Sequence, residues 1–354
     1  GTITAAIDNT TTIAVLNTLP AENNALTIKI AADAEGHNAA DITAVDARTT
    51  VTVDASAVTK VSGTSEQIDA FLIADVTLPV NYDISASGTI AVAKVNEYVT
   101  AAGTGSVTAA VSDTAANAKD LATVETDLIT VTITNDAEAT LAADLNAING
   151  KTAVAVNASA VTAISGSASD WATLEAAATL GTPTITLKSD AAVEVTDAAD
   201  VALINDLAAL TDGVVTATAS SNAFADFATL NTAGTDKITI ELTDASLDAA
   251  DIFTTVNDVE SGLATKTAEL VDLTGVAEIT GSIAELKILI GKAKALSEGG
   301  EVSLNTAAVK LTVTSGTLED GLQTATALDI KVLADFTGGL VDATIIDVVK
   351  GIGA

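Results

Sequence analysis

The sequence predicts an α/β repeat solenoid, with parallel β-strands stacked coil on coil and short helices covering one face. Three observations predict it. One set of short motifs returns in the same order at a period of roughly 103–115 residues. Each copy passes from a strand-like alternation of apolar residues to a helical stripe. The apolar content, 48% of 354 residues, is mostly Ala, Val, Leu and Ile, with one Trp, two Tyr and five Phe. A core of such small side chains is thin, which suits stacked coils better than one large globular centre.

The period is read from several segments at once. Val53-Asp-Ala-Ser-Ala-Val-Thr-Lys-Val-Ser-Gly63 returns 103 residues later as Val156-Asn-Ala-Ser-Ala-Val-Thr-Ala-Ile-Ser-Gly166. A looser copy, Val271-Asp-Leu-Thr-Gly-Val-Ala-Glu-Ile-Thr-Gly281, follows 115 residues on. Ile3-Thr-Ala-Ala-Ile7 matches Val107-Thr-Ala-Ala-Val111 and Val215-Thr-Ala-Thr-Ala219. Leu26-Thr-Ile-Lys-Ile30 matches Ile129-Thr-Val-Thr-Ile133 and Ile238-Thr-Ile-Glu-Leu242. With coil types named A to D, the chain reads C, D, A, B three times and closes on C. This gives one elongated solenoid over 1–354, with super-repeats at about 1–50 (partial), 51–153, 154–268 and 269–354 (partial).

Within a coil, Ile129, Val131 and Ile133 alternate with threonines, as in a strand buried on one face. Asn135 or Asp136 then stands where a helix cap belongs. Leu141, Leu145 and Ile148 form the predicted helical stripe, ended by Asn149-Gly150. Coils of types A and B carry a second strand, as in 184–188 followed by 193–196, with helices expected over 167–179 and 197–210. Helix starts are expected near 65, 90, 113, 136, 167, 197, 220, 248, 282 and 316. Pro20, Pro79 and Pro183 fall in connections. Trp171 is expected to anchor a helix to the core, with Phe224 and Phe227 in a similar place later.

The charge balance excludes several function classes. There are 47 acidic and 15 basic residues, net −32, and Arg48 is the sole arginine. Such a polyanion repels phosphate backbones and anionic headgroups, so neither nucleic acid nor membrane is an expected partner. No apolar stretch is long enough to predict membrane insertion. Without cysteine there is no disulfide and no thiolate chemistry. The lack of methionine, even at position 1, predicts a processed end or a segment of a longer precursor.

No catalytic set is expected, and no cofactor motif. His37 is the sole histidine and is read as a solvated loop or helix-start residue. Ser-His-Asp and Cys-His arrangements therefore have almost nothing to be built from, and the phosphate-loop, dinucleotide and His-Glu-x-x-His motifs do not occur. Carboxylates do recur at strand-to-helix junctions, at Asp136, Asp197, Asp200, Asp244 and Asp248. The plain reading is helix capping, since free backbone N–H groups and the helix dipole both favour a carboxylate there. The sharper reading is calcium, a hard cation that wants several oxygens and would relieve the repulsion. Thr-x-Thr strands at 130–134, 184–186 and 216–218 raise ice binding as a remote alternative. Lys29, Ala109 and Glu241, read as the matching outward positions elsewhere, interrupt that lattice.

Coils such as Val107-Thr-Ala-Ala-Val-Ser-Asp-Thr-Ala-Ala-Asn117 resemble the repeat regions of very large secreted bacterial surface proteins, among them adhesins, S-layer-like proteins and fibre-forming proteins. The resemblance implies an extracellular or cell-surface location and a structural or adhesive role, often calcium-dependent. It carries over no site residues.

The two ends predict assembly. Residues 1–21 hold a single charge, Asp8, and expose Ile3 and Ile7 as an apolar edge. The last coil offers Ile345, Ile346, Val348 and Val349. Uncapped solenoid ends stack on neighbours, so a head-to-tail homopolymer is expected. The expected function is a structural subunit of an extracellular filament or surface layer. The alternative is a stalk or binding segment of a secreted calcium-dependent adhesin.

Overall fold

The computed structural model describes residues 4–7, 11–20, 24–135, 138–256, 259–269, 271–294 and 302–351. It is an α/β structure with several parallel sheets, eleven α-helices among the described residues and no closed barrel. Two compact units divide the chain. The first takes 1–162 and 176–188, the second 163–175 and 189–354.

In the first unit one sheet runs Ile185–Leu187, Val156–Ala158, Leu128–Ile133, Val107–Asp113, Asp83–Thr89, Lys60–Thr64, His37–Asn38, and every pairing is parallel. The order of strands in this sheet is therefore the reverse of chain order, each strand pairing in parallel with the one before it in the sheet. A parallel neighbour requires a crossover, and here that crossover is usually a single short helix, as in Ser65–Leu72 or Val92–Ala102. The register stacks like on like, with His37, Val61, Ile84 and Val107 in one buried column. A second line of shorter strands pairs Thr4–Ile7 with Ala25–Ile28 and Val53–Asp54 with Val76–Thr77, also parallel. The helices turn Ile68, Phe71, Val95 and Tyr98 inward, and Phe71 meets the Tyr82 ring edge-on at 6.1 Å.

The second unit has the same grammar. Ala163–Gly166, Ala192–Ala199, Val215–Ala219, Lys237–Glu241, Val271–Leu273 and Val302–Leu304 form one parallel sheet. Ser246–Asp248, Glu278–Ser282, Lys310–Ser315 and Val341–Asp342 form another. Two antiparallel hairpins interrupt the pattern: Thr254–Val256 with Val259–Ser261, and Thr317–Glu319 with Leu322–Thr326. The second turns on Asp320 and Gly321, both at positive φ, which matches the right-handed twist of the flanking strands. Strand Val348–Lys350 lies parallel on Leu322–Thr326.

One irregularity recurs. Against Val107–Asp113, the register of Asp83–Thr89 slips between Ser85 and Thr89. Against Val215–Ala219, the register of Ala192–Ala199 slips between Glu194 and Ala198. At the third occurrence Lys310–Ser315 pairs with Val341, and pairing resumes at Thr324↔Val348 after the hairpin. The hairpin is thus inserted where the other two strands carry a bulge, a site at which the ladder is already open.

Most helix starts fall within a few residues of the expected positions, and two differ for clear reasons. Strand Thr140–Leu141 precedes the helix Ala142–Asn149, so the helix starts at 142 and Leu141 is 49% exposed. Its buried stripe is Ala142, Leu145 and Ile148, the alanine doing what a leucine was expected to do. Asn135 is no helix cap; its Oδ1 accepts from the Thr162 N–H at 2.9 Å. The inserted hairpin moves the last helix to Ala327–Phe336. Asp197 lies within the strand Ala192–Ala199, and the helix begins only at Val201 with Asp200 as its cap.

Candidate functional site

The recurring side-chain chemistry of this chain ties strands to the turns that follow them. Asp127 is 3% exposed; its Oδ1 accepts from Val107 N–H at 2.7 Å and its Oδ2 from Val124 N–H at 2.9 Å. Asp236, 4% exposed, repeats this on Val215 (2.9 Å) and Ala233 (2.8 Å). Each carboxylate closes its own turn and holds the N–H that opens the strand of the preceding coil. A buried N–H without a partner costs about 1–3 kcal/mol, and a charged acceptor is the stronger remedy.

Threonines hold the strand that follows each of these aspartates. The Thr152 hydroxyl accepts from Ile129 N–H, donates to Ile129 C=O at 2.7 Å and accepts from Val154 N–H. Thr49 brackets Leu26 in this way and Thr267 brackets Ile238. Thr211 on Ala191 C=O and Thr337 on Val309 C=O are a further pair, each also accepting a glycine N–H two residues on. Asp54, Asn157 and Asp272 each accept the N–H two residues ahead, an Asx turn that closes the strand.

The carboxylates proposed from sequence as calcium ligands are placed among such backbone contacts. Asp136 lies outside the described residues. Asp197 Oδ1 accepts from Ala168 N–H at 2.6 Å and Asp244 Oδ2 from Phe224 N–H at 2.9 Å, both across coils. Asp200 caps onto Leu203 N–H and Asp248 onto Ala250 N–H. Asp251, beside Asp248, has its carboxyl held above the usual range by partial burial and by that neighbouring charge. Among the described residues no three metal-ligating side chains gather in one place.

His37 is buried rather than solvated, because it occupies a core column; its Nε2–H donates to Ala31 C=O at 2.8 Å. Trp171 is fully buried, with Nε1–H on Glu194 C=O at 2.9 Å, as a core anchor should be. Phe227 is buried on a 3-10 turn and Phe224 half-buried. Ala109 points into the core, so it was misplaced among the outward positions; the outward column of that sheet is Ser112, Thr132, Asn157 and Thr186. Of the expected edge residues, Ile3 lies outside the described residues. Ile7 and Ile346 are half-buried, and Ile345, Val348 and Val349 are exposed.

Two helix pairs complete the picture. Asp69 of Ser65–Leu72 meets Lys94 of Val92–Ala102 at 3.1 Å, and the Tyr98 hydroxyl meets Ser65 Oγ at 2.7 Å and Asp69 at 3.1 Å. Lys287 of Ile283–Lys294 meets Asp329 of Ala327–Phe336 at 2.6 Å. Beside this second pair a cleft of about 560 Å³ opens toward Ser315 and Thr317. No helix among the described residues is long and apolar enough to cross a membrane.

The buried aspartates and bracketing threonines were not singled out from sequence. Their signal was present: Thr126-Asp127 and Thr235-Asp236 stand just ahead of strands already aligned by the repeat. Comparison with protein-family models, with curated proteins and with solved structures returned no match.

Proposed function

We propose that the chain is a non-catalytic structural protein, one solenoid that serves as a subunit of an extracellular filament or surface layer. The observation that carries the reading is the return of the same coil-to-coil ties at the same place in successive super-repeats. Asp127 and Asp236 do one job, and Thr49, Thr152 and Thr267 another. Side chains spent on holding backbone to backbone favour a load-carrying role, with stability built up from neighbour contacts. The Asp127 and Asp236 side-chain oxygens are taken up by backbone N–H groups and not turned toward an open cleft.

Assembly through open strands follows from the same ladder. Strand Thr4–Ile7 pairs with Ala25–Ile28, and Val348–Lys350 pairs with Leu322–Thr326, each on one side among the described residues. Val348 and Val349 are exposed there, and an exposed apolar strand edge is a template for another strand. Sedimentation velocity on the full chain, and on a chain lacking 1–21 and 341–354, tests this. Concentration-dependent growth that the truncation abolishes supports the reading. A full chain that stays monomeric at every concentration refutes it.

A further inference from the structure

We propose that the cleft beside the Lys287–Asp329 pair is a binding site for a short, uncharged oligosaccharide. The cleft exists where the last super-repeat departs from the two before it. At the corresponding place in the first unit, the Tyr98 hydroxyl bridges Ser65 and Asp69 between the two helices. In the second unit the inserted hairpin stands up next to the helix Ile283–Lys294, and a space of about 560 Å³ lies between them. That is within the range of small-molecule sites, roughly 300–1,000 Å³.

The lining selects the ligand class. Ile283, Ala284 and Ile288 give an apolar floor, suited to the C–H face of a sugar ring. Ser315 and Thr317 line one wall, and neither hydroxyl makes a hydrogen bond among the described residues. Lys287 and Asp329 set an ammonium and a carboxylate 2.6 Å apart, a donor and an acceptor of zero net charge. The Lys287 ammonium, with the Thr326 hydroxyl, holds the Asp329 carboxyl below the usual range, so the acceptor stays ionised. An anion entering here meets Asp329, and a cation meets Lys287. No aromatic side chain lines the cleft, which removes the platform a flat aromatic ligand would need.

The wall is also built to stay in place. Gly316 N–H donates to Gln323 Oε1 at 2.8 Å, and a Cβ on Gly316 would lie 2.4 Å from the Thr324 carbonyl oxygen. The hairpin is therefore pinned at its root, so little ordering is left to be done on binding.

This inference does not rest on the assembly proposal. It is tested on the full chain by saturation-transfer NMR with maltotriose, cellotriose and trigalacturonate. Ala284→Trp, at an exposed position, fills the cleft; Ser315→Ala with Thr317→Val removes the two hydroxyls; Thr130→Val, in the first unit, is the control. The expected result is transfer to at least one neutral trisaccharide, lost in Ala284→Trp, weakened roughly fivefold in the double variant and unchanged in the control. Absence of transfer to both neutral probes overturns the proposal. So does equal transfer to trigalacturonate, or transfer that survives Ala284→Trp.

Discussion

The helix pairs Ser65–Leu72 with Val92–Ala102 and Ile283–Lys294 with Ala327–Phe336 make the same contact with opposite charges. In the first pair the fifth residue of one helix is Asp69 and the third of the next is Lys94. In the second those places hold Lys287 and Asp329. Between them in the chain, helices Ala168–Thr179 and Val201–Leu210 carry Ala172 and Leu203 there. The position recurs, whereas the sign is free. Exposed ion pairs add little stability, so these pairs serve chiefly to set which helix face meets which. The backbone ties behave differently: a buried carboxylate that accepts two N–H groups has no sign to exchange, and Asp is kept at 127 and 236.

That difference can be broken in order of size. Asp127→Ala should cost about 2–3 kcal/mol, since it strands the buried N–H of Val107 and the partly buried N–H of Val124. Asp347, exposed, accepts from Gln323 N–H at 2.8 Å in a similar way, and Asp347→Ala should cost less than about 1 kcal/mol, because water replaces it. Urea midpoints of the two variants measure the contrast, and equal shifts would remove the distinction between buried and exposed ties.

Thr152→Val keeps the shape and deletes the hydroxyl that Ile129 and Val154 use. A loss of about 2 kcal/mol is expected, with most of it recovered in Thr152→Ser. A serine no better than valine would locate the effect in packing.

Charge exchange comes next. Asp69→Lys and Lys94→Asp should each destabilise, and the double variant should recover the loss, as measured by a double-mutant cycle in urea. An additive double variant would mean that the two side chains do not couple.

The smallest effect is with pH. The carboxyls of Glu278, Asp272 and Asp329 are all held below their ordinary values. For Glu278 the Thr312 hydroxyl and the Lys310 ammonium do this; for Asp272 the bonds from Thr274 and Ser303 outweigh burial; for Asp329 it is Lys287 and Thr326. Depressed folded-state values stabilise above the unfolded range of about 3.9–4.3, and that stability is lost as pH falls through the lower folded values. Acid melts monitored by circular dichroism should therefore lose stability below about pH 4, and Glu278→Gln should flatten part of that slope.

The repeat was legible because a strand's core face must suit the strand it pairs with: Val107-Thr-Ala-Ala-Val111 stands beside Ile129-Thr-Val-Thr-Ile133 as Val215-Thr-Ala-Thr-Ala219 stands beside Ile238-Thr-Ile-Glu-Leu242. Tight periodicity also read most helices from Ser65 onward to within a few residues, but not Ala39–Asp46 or the late start at Ala327. The recurrence of Asp127 and Asp236 ahead of aligned strands was readable, but not the tie itself, because its partner, the Val107 N–H, is distant in sequence. The hairpin at Thr317–Thr326 was missed although Asp320-Gly321 is a strong turn signal. The period, carried forward unchanged, placed a helix start there instead. The cleft follows from that insertion, so it too could not be read from the regular part of the sequence.

Electron microscopy of the purified protein, with and without a calcium chelator, tests the structural role most directly. Filaments or sheets with a regular axial repeat are predicted, and their loss on chelation would place calcium at the joints between copies. Isolated short particles under both conditions would contradict the structural-subunit reading.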